Sequence, residues 1–266
     1  MNVSLQTNHS VSFCAKNSDI KKADKIMRTT RNVFPMQSCS FIDTFYSSKK
    51  ARSQGFVKKL SDKIWKKIDK IRTFEDKLFS DEIKYKYDDI KIGYAPTILG
   101  LEQLKAGNCH EASVAVLAAL AANGIYDGKE VNLFVDTQFM NKKTKQIEYW
   151  HRDPIDHALV VTAMGKENPR KNDLIVIDPW LPYCDSLSGA IGKYNQVFAK
   201  NKMREAARMN RSLFRVSMAE RHLPFDEDNY EMIQKIKVNL DRPLTARSTK
   251  ELGDFCSQRH PELIID

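Results

Sequence analysis

Apolar side chains recur at steps of three and four residues between Gly55 and about Phe79, which is the spacing of one face of a helix. The members of this face are Val57, Leu60, Ile64, Ile68, Ile71, Phe74 and Leu78. Lysines occupy the opposite face at Lys58, Lys59, Lys63, Lys66, Lys67 and Lys70. The pattern predicts a basic amphipathic helix within a segment that spans residues 49–91.

A second helix is predicted where the sequence CHEASVAVLAALAANG, residues 109–124, is apolar on nearly every side. A helix without a polar face has no side to present to water, so we expect it at the centre of the core. Asn123 and Gly124 are residue types at which helices commonly end. The apolar run, residues 112–122, is too short to span a bilayer.

Strands are predicted after this helix. Residues 130–140 alternate between apolar and polar side chains, and residues 147–152 follow a polar turn as a hairpin partner. Residues 157–164 and 173–178 form two further predicted strands around a polar loop, and the chain turns helical again after Trp180. A helix followed by an antiparallel sheet, with more helices around them, is an α+β arrangement.

The first 48 residues are polar and show no sustained period, so we predict a mostly disordered leader over residues 1–48. One short helix is expected inside it, over residues 18–34, because Pro35 ends the helical pattern. The chain starts without a basic region that leads into an apolar run. A cleaved secretory signal is therefore not expected.

The net charge of +9 lies entirely in the N-terminal part of the chain. Residues 1–100 contain 20 Lys and Arg against 11 Asp and Glu, whereas residues 101–266 contain 23 of each kind. Two interpretations of the basic helix stay open: it lies on an anionic membrane or partner protein, with Trp65 at the interface, or it packs on the rest of the chain. Nucleic acid is not expected, because no nucleic-acid-binding motif accompanies the charge.

The five cysteines are an odd number scattered along the chain: Cys14, Cys39, Cys109, Cys184 and Cys256. They show neither the close spacing of a disulfide scaffold nor the CxxC pairs of a zinc site. We expect them to be reduced, as in a cytosol-like compartment. Any one of them alone is most simply a small buried apolar residue.

Cys109 differs from the others because of its neighbours in the sequence. Asn108 is a good N-cap residue, and Glu111 stands three positions later, as in a capping box. This spacing places Cys109 at the first helical position, where backbone NH groups and the positive end of the helix dipole favour a thiolate. Gly107 leaves room for a substrate backbone to approach closely.

A thiolate nucleophile needs a base and a group that orients the base. His157 opens one predicted strand, and Asp178 ends the next, directly before Pro179. If the two strands form an antiparallel hairpin, both side chains lie at the same edge of the sheet. Each residue alone has an ordinary explanation, since His157 could pair with Asp156 and an aspartate before a proline commonly ends a strand. The combination with Cys109 predicts thiol chemistry.

The motifs GNCHEA, DHALVV and VIDPW, within residues 98–200, resemble the Cys, His, Asp series of the papain-like and transglutaminase-like superfamily, and most closely its bacterial effector proteins. The resemblance implies a central cysteine helix packed on an antiparallel sheet, within a catalytic domain at residues 92–266 and behind an N-terminal helical extension. It implies Cys109 as nucleophile, His157 as general base and then acid, and Asp178 as the orienting carboxylate.

The same resemblance suggests further site residues. Gln103 stands six residues before Cys109, where papain-like enzymes place a glutamine that donates to the oxyanion, and the Cys109 NH would be the second donor. Gly107 and Trp180 are candidate substrate-binding residues. The chain departs from papain because His110, not a tryptophan, follows the cysteine and because the distance to His157 is shorter. The compact spacing favours the transglutaminase-like branch.

The expected activity is hydrolysis of an amide in a protein substrate by a protease or a glutamine deamidase, with transglutamination less favoured. No cofactor is expected. A metal site built from Cys109, His110, His151 and His157 is not favoured, because no ligand pair at i and i+4 appears. The resemblance also implies an effector that is secreted without a cleaved signal and acts on a host protein. The alternative is a non-enzymatic interaction module that works through residues 49–91.

Overall fold

A computed structural model describes residues 15–37, 54–78, 94–197, 199–220, 222, 227–244 and 246–265. Its α-helices are α1 (Asn17–Val33), α2 (Gln54–Leu78), α3 (Ala95–Leu104), α4 (Cys109–Ala122), α5 (Leu187–Val197), α6 (Ala199–Glu220) and α7 (Lys250–Arg259). The strands are β1 (Lys129–Asn141), β2 (Ile147–Thr162), β3 (Ile175–Asp178), β4 (Tyr183–Ser186) and β5 (Tyr230–Val238). The order β4-β3-β2-β1-β5 is antiparallel throughout, which confirms the predicted α+β class.

Helix α4 forms the centre of the core, as its sequence predicts. Every residue from Glu111 to Ala121 is buried. Its apolar side chains pack against α1, α7 and the inner strands, where Val160, Ile175 and Ile177 belong to the same cluster. The chain leaves the helix at Gly124, whose φ of 73° suits a residue without a side chain. A helix that is buried from Glu111 to Ala121 therefore carries Cys109 at its first position.

Helix α1 corrects the predicted leader. The helix expected over residues 18–34 is present at Asn17–Val33, but it is part of the core, with Ile26 and Met27 completely buried. Just after it, the backbone of Gln37 bridges to Ala106, three residues before the cysteine. For residues 15–37 the prediction of disorder is therefore wrong. The remainder of the predicted leader, residues 1–14 and 38–48, lies outside the described residues.

Helix α2 has the predicted amphipathic character, and its apolar face packs inside the protein. Ile64, Ile68 and Ile71 are buried, and Ile71 lies so close to Gly100 of α3 that a side chain there would collide with it. The Lys67 ammonium donates to the Leu104 carbonyl at the end of α3, over 3.1 Å. These contacts agree with the packed-helix interpretation. Along the described ranges, no helix has the length and apolar character that a bilayer crossing requires.

Strand β2 differs from the prediction in an informative way. The segments predicted as separate strands over residues 147–152 and 157–164 are one long strand that bends in its middle. Its pairing with β1 jumps from Asn132–Ala158 to Leu133–Ile155, so Asp156 and His157 have no ladder partner. Bulges of this kind bend a strand and re-aim side chains. The bulge turns His157 away from the regular alternation of the sheet.

Candidate active site

The N-terminus of α4 holds Cys109 as the sequence predicts. The Asn108 backbone NH donates to the Glu111 carboxylate over 2.8 Å, which is one arm of the predicted capping box. Cys109 is a half-buried free cysteine. It opens into a cleft of about 740 Å³, here called the catalytic cleft, whose lining includes Trp65, Arg72, Asn132, His157 and Leu244. The sulfur is therefore accessible to a substrate.

The capping carboxylate is itself tied to the basic helix. Glu111 is completely buried, and Arg72 of α2 donates to its Oε1 over 2.8 Å. Burial pulls the pKa of Glu111 upward, but the hydrogen bonds and charge of Arg72, together with the Asn108 NH, leave this pKa below its usual value. Arg72 of helix α2 thus neutralises a carboxylate two residues from Cys109. No local pattern in the sequence indicates this pair, because the two residues are 39 positions apart along the chain.

Replacing Arg72 with alanine is expected to lower the free energy of unfolding by about 2 kcal/mol at neutral pH, because the buried Glu111 charge loses its partner. The Arg72 side chain is 42% exposed, so the loss should be smaller than for a fully buried pair. Urea unfolding measures it. Lys70→Ala, at an exposed position on the same helix, is the matched control.

The pH dependence gives a second readout of the same pair. A carboxylate with a lowered pKa stabilises the fold above its unfolded pKa, and this stability is lost as the pH falls through the folded value. Without Arg72, burial should raise the pKa of Glu111, so acid destabilisation should begin at a higher pH than in the parent protein. An Arg72→Ala protein with unchanged stability and an unchanged acid transition would contradict this role.

His157 and Asp178 meet at one edge of the sheet, as predicted. The Nε2 atom of His157 lies 2.7 Å from Oδ2 of Asp178, and both side chains are buried. The Cys109 side chain also interacts with the His157 ring and contributes to its raised pKa. The three predicted residues therefore form one connected series from thiol to imidazole to carboxylate.

Asp178 accepts four hydrogen bonds from described residues. Its Oδ1 accepts from the backbone NH groups of Trp180 and Leu181, over 3.1 and 3.0 Å. Its Oδ2 accepts from His157 and from the Tyr194 hydroxyl of α5, which lies 2.9 Å away. All four acceptor positions of this buried carboxylate are thus occupied, which holds it stationary. Burial, with the nearby Asp178 charge, raises the pKa of Tyr194, so its hydroxyl stays a donor.

His157 carries an unusual affinity for its proton. Burial by itself would lower the pKa of the ring, but the hydrogen bonds and charges of Asp178 and Cys109 outweigh burial and raise it from 6.5 to about 9. The ring is therefore an imidazolium at neutral pH. The Trp180 ring covers it, with the two ring centres 5.1 Å apart.

We expect two consequences of this raised pKa as the pH rises through about 9. Any reaction that uses the imidazolium as an acid should slow down. The stability contributed by His157 should also disappear, since a raised pKa stabilises the fold fully below the unfolded value and not above the folded one. A rise of this size corresponds to about 3 kcal/mol.

Urea unfolding of the parent and of His157→Gln at about pH 6 and about pH 10 tests the second consequence. The stability difference between the two proteins should shrink at the higher pH. Titration of the His157 ring by NMR gives the pKa directly. A midpoint near the usual histidine value of about 6.5 would show that the imidazolium is not held.

Gly107 and Trp180, the candidate substrate-binding residues, line a second cavity of about 480 Å³. Met36 and Lys105 also contribute to it. Asn108 lines both this cavity and the catalytic cleft, so the two meet at the start of α4. A substrate could therefore lie across the cysteine, with one part on either side.

Gln103 and His110, which the sequence also singled out, do not join the series from Cys109 to Asp178. Gln103 has an exposed side chain on α3, and neither of the two cavities beside the cysteine is lined by it. It is therefore not brought to the sulfur as the oxyanion proposal requires. His110 lines the catalytic cleft, but its Nδ1 pairs with the buried Glu130 over 2.8 Å. This partner identifies His110 as a structural neighbour of the site.

Asn132 is a site residue that the sequence did not single out. It lines the catalytic cleft at the point where the β1–β2 register changes. Its buried Oδ1 has no hydrogen-bond partner among the described residues. An amide side chain in this position can bond to a polar group of a bound molecule. The available signal was an asparagine among the apolar residues of the predicted strand over residues 130–140.

The described residues include no cluster of three or more His, Cys, Asp and Glu side chains that could hold a metal ion. Of the histidines in the sequence-based metal set, His110 pairs with Glu130 and His151 pairs with Asp153. No protein-family model, no characterised protein and no solved structure matches this chain. Its function must therefore be argued from the site itself.

Proposed function

We propose that the protein is a cysteine-dependent hydrolase that acts on an amide of a protein substrate. The observation that carries the proposal is the buried series in which Asp178 orients His157, and His157 in turn contacts Cys109 at the start of a buried helix. This arrangement supplies a nucleophile, a proton carrier and an orienting charge in one place. An accessible cleft beside the sulfur supports the proposal.

The proposed reaction has two halves. The Cys109 thiolate attacks the amide carbon, and the Cys109 backbone NH donates to the oxygen that becomes negative. His157 gives its proton to the leaving nitrogen, so an amine or ammonia departs and a thioester remains. Water then loses a proton to His157 and attacks the thioester, which releases the carboxylic acid and restores the thiolate–imidazolium pair.

We also propose that the fold is a papain-like or transglutaminase-like core. Support comes from the order of parts: a cysteine at the start of a buried helix, followed by an antiparallel sheet that carries the histidine and the aspartate on neighbouring strands. Helices α1 and α2 pack on this arrangement. In that core the first described helices act as structural parts of the catalytic domain.

Three reactions share this chemistry, and the products distinguish them. Peptide cleavage yields two fragments, deamidation of a glutamine adds about one dalton, and attack by a lysine amine in place of water yields a crosslink. Intact-mass analysis of candidate protein substrates after incubation with the purified protein tests the proposal. The protein alkylated at Cys109 serves as the blank. If no product forms with any substrate pool although the thiol is reactive, the hydrolase proposal fails.

The resemblance to bacterial effectors supports a further proposal, that the protein is secreted and acts on a host protein inside host cells. Residues 15–37 belong to the folded core, so a deletion that tests an N-terminal secretion signal without removing core residues is limited to residues 1–14. Deleting only these residues and measuring delivery into host cells tests this point. Normal delivery of the deletion variant would remove the support that the leader gives.

The alternative proposal is an interaction module without catalysis. Trp65 is 45% exposed on α2, beside the solvent-facing Lys63, Lys66 and Lys70, and such a surface could contact an anionic membrane or a partner protein. The buried isoleucines of the same helix are not free to enter a membrane. This alternative predicts that the biological effect survives the loss of the Cys109 thiol.

A further inference from the structure

A third cavity, here called the basic cavity, lies between the edge strand β5 and helix α5 and has a volume of about 310 Å³. Four cationic side chains line it: Arg152, Lys171, Lys235 and Lys237. Asp241 is the one acidic residue among those that line it. A concave site with this balance attracts negative charge.

The positive charge of this cavity is only partly compensated. Lys237 pairs with the buried Asp136. The closest approach of Arg152 to Asp241, from Nη1 to Oδ2, is 3.7 Å, which is beyond hydrogen-bond distance, and the Asp241 side chain is 81% exposed. The buried Nε of Arg152 has no hydrogen-bond partner among the described residues. Lys171 and Lys235 are exposed. The cavity therefore retains donors for an incoming anion.

Arg152 is held in place by aromatic rings. Its guanidinium lies over the Phe134 ring at 3.9 Å and is 5.1 Å from the centre of the Trp150 ring. Stacking of this kind fixes the direction of a long side chain before any ligand arrives. A preset guanidinium loses little conformational entropy when it binds a carboxylate.

The basic cavity is the direct neighbour of the catalytic cleft. Phe134 lines the basic cavity, and its partner across the β1–β2 ladder, Pro154, lines the catalytic cleft. The chain after β5 connects them as well, because Asp241 lines the first and Leu244 the second. Neighbouring strands lie about 4.8 Å apart, so a bound chain can occupy both sites with a few residues.

We propose that the basic cavity binds acidic side chains of the protein substrate, next to the amide that reaches Cys109. The inference rests on the proposed function and specifies its substrate class: an amide with Asp or Glu residues close by in the sequence. The apolar part of the lining, which includes Phe134, Leu187 and Ile191, suits the stems of peptide side chains better than a bare inorganic anion.

Binding of a probe peptide to the Cys109→Ala protein tests the site without needing catalysis. The probe is a fluorescent peptide with four consecutive glutamates, and its comparison peptide has four glutamines. The variant Lys171→Glu/Lys235→Glu removes two cations from the cavity at exposed positions, where folding should tolerate the change. Lys129→Glu/Lys143→Glu, at exposed positions outside the cavity lining, changes the net charge equally and serves as the matched control.

The glutamate peptide is expected to bind more tightly than the glutamine peptide. The cavity variant should weaken this binding by roughly tenfold or more, and the control by about twofold or less. Equal weakening by both variants would mean that only overall charge matters, which overturns the proposal. Binding of inorganic tripolyphosphate without binding of the glutamate peptide would overturn it too, because the cavity would then be a phosphate site.

A second measurement separates this inference from the proposed function. Wild-type protein and the cavity variant are incubated with a peptide library, and modified peptides are identified by mass. We expect acidic residues near the modified amide with the wild type, and loss of that preference with the variant. If the modified peptides show no preference for acidic residues, the proposed docking site is wrong and the hydrolase proposal stands. If the glutamate peptide binds in a charge-specific way but no product forms, the hydrolase proposal is wrong and the docking site stands.

Discussion

Replacing Cys109 with alanine is expected to abolish turnover while the protein stays folded. The proposed reaction passes through a covalent bond to this sulfur, and alanine offers no other nucleophile, so the rate should fall by at least about four orders of magnitude. Cys109 is half-buried at the first position of α4, and alanine suits a helix well. The free energy of unfolding, measured by heat or urea, should therefore change by less than about 1 kcal/mol. Product formation followed by mass is the measurement.

The other described cysteines provide the matched comparison. Burial raises the pKa of Cys184 and of Cys256 to about 12, with nearby acidic groups adding to the effect. Both should remain thiols and react slowly with iodoacetamide, whereas Cys109 should be alkylated first. Cys184→Ala should leave turnover nearly unchanged. Full biological effect in a stable Cys109→Ala protein would refute the enzyme and favour the interaction module.

The second large effect is expected from Asp178→Asn. The two backbone NH groups that donate to Oδ1 should hold the asparagine oxygen in that place, which turns the new NH₂ group toward His157 and Tyr194. The His157 Nε2 atom must then accept a hydrogen bond, so the ring proton moves to the nitrogen that faces the sulfur. A neutral ring in this tautomer cannot take up a proton from that side. Turnover should fall by about a thousandfold or more.

NMR titration of His157 distinguishes this mechanism from simple misfolding. In Asp178→Asn the ring loses the charge and the acceptor that hold its proton, so its pKa should fall well below about 9. Tyr194→Phe is the control, because it removes one other hydrogen bond from the same carboxylate oxygen and keeps the bond to His157. It should cost about 1 kcal/mol of stability and leave most of the turnover. Equal rate losses in both variants would argue against a specific role for Asp178.

Local sequence patterns predicted the candidate site residues that lie at the ends of helices and strands. Asn108 and Glu111 mark the start of α4 and so place Cys109 at its first turn, which depends only on neighbouring residues. Asp178 stands at the end of a short apolar run before Pro179, and that position is readable for the same reason. The hairpin that brings His157 to Asp178 was also predictable, because two apolar segments flank one polar loop.

Contacts between residues far apart in the chain could not be predicted from the sequence. Arg72 is one of several basic residues on α2, and its sequence neighbours do not distinguish it from the nearby lysines. Tyr194 lies within an amphipathic helix, where an aromatic residue usually signals only packing. Gln103 satisfied a spacing rule in the sequence, but the helix it occupies turns its side chain to water. These outcomes depend on how the helices rotate when they pack.

The sequence by itself determined the periodic elements, the α+β class and the helix start that carries Cys109, because these depend on the chemistry of adjacent residues. Only the tertiary structure decided that α1 and α2 belong to the core, that a bulge re-aims His157, and that the basic cavity adjoins the catalytic cleft. The physical reason is that distant segments come into contact when the apolar face of one helix or sheet packs against the apolar face of another. A local pattern defines such a face but does not specify its partner.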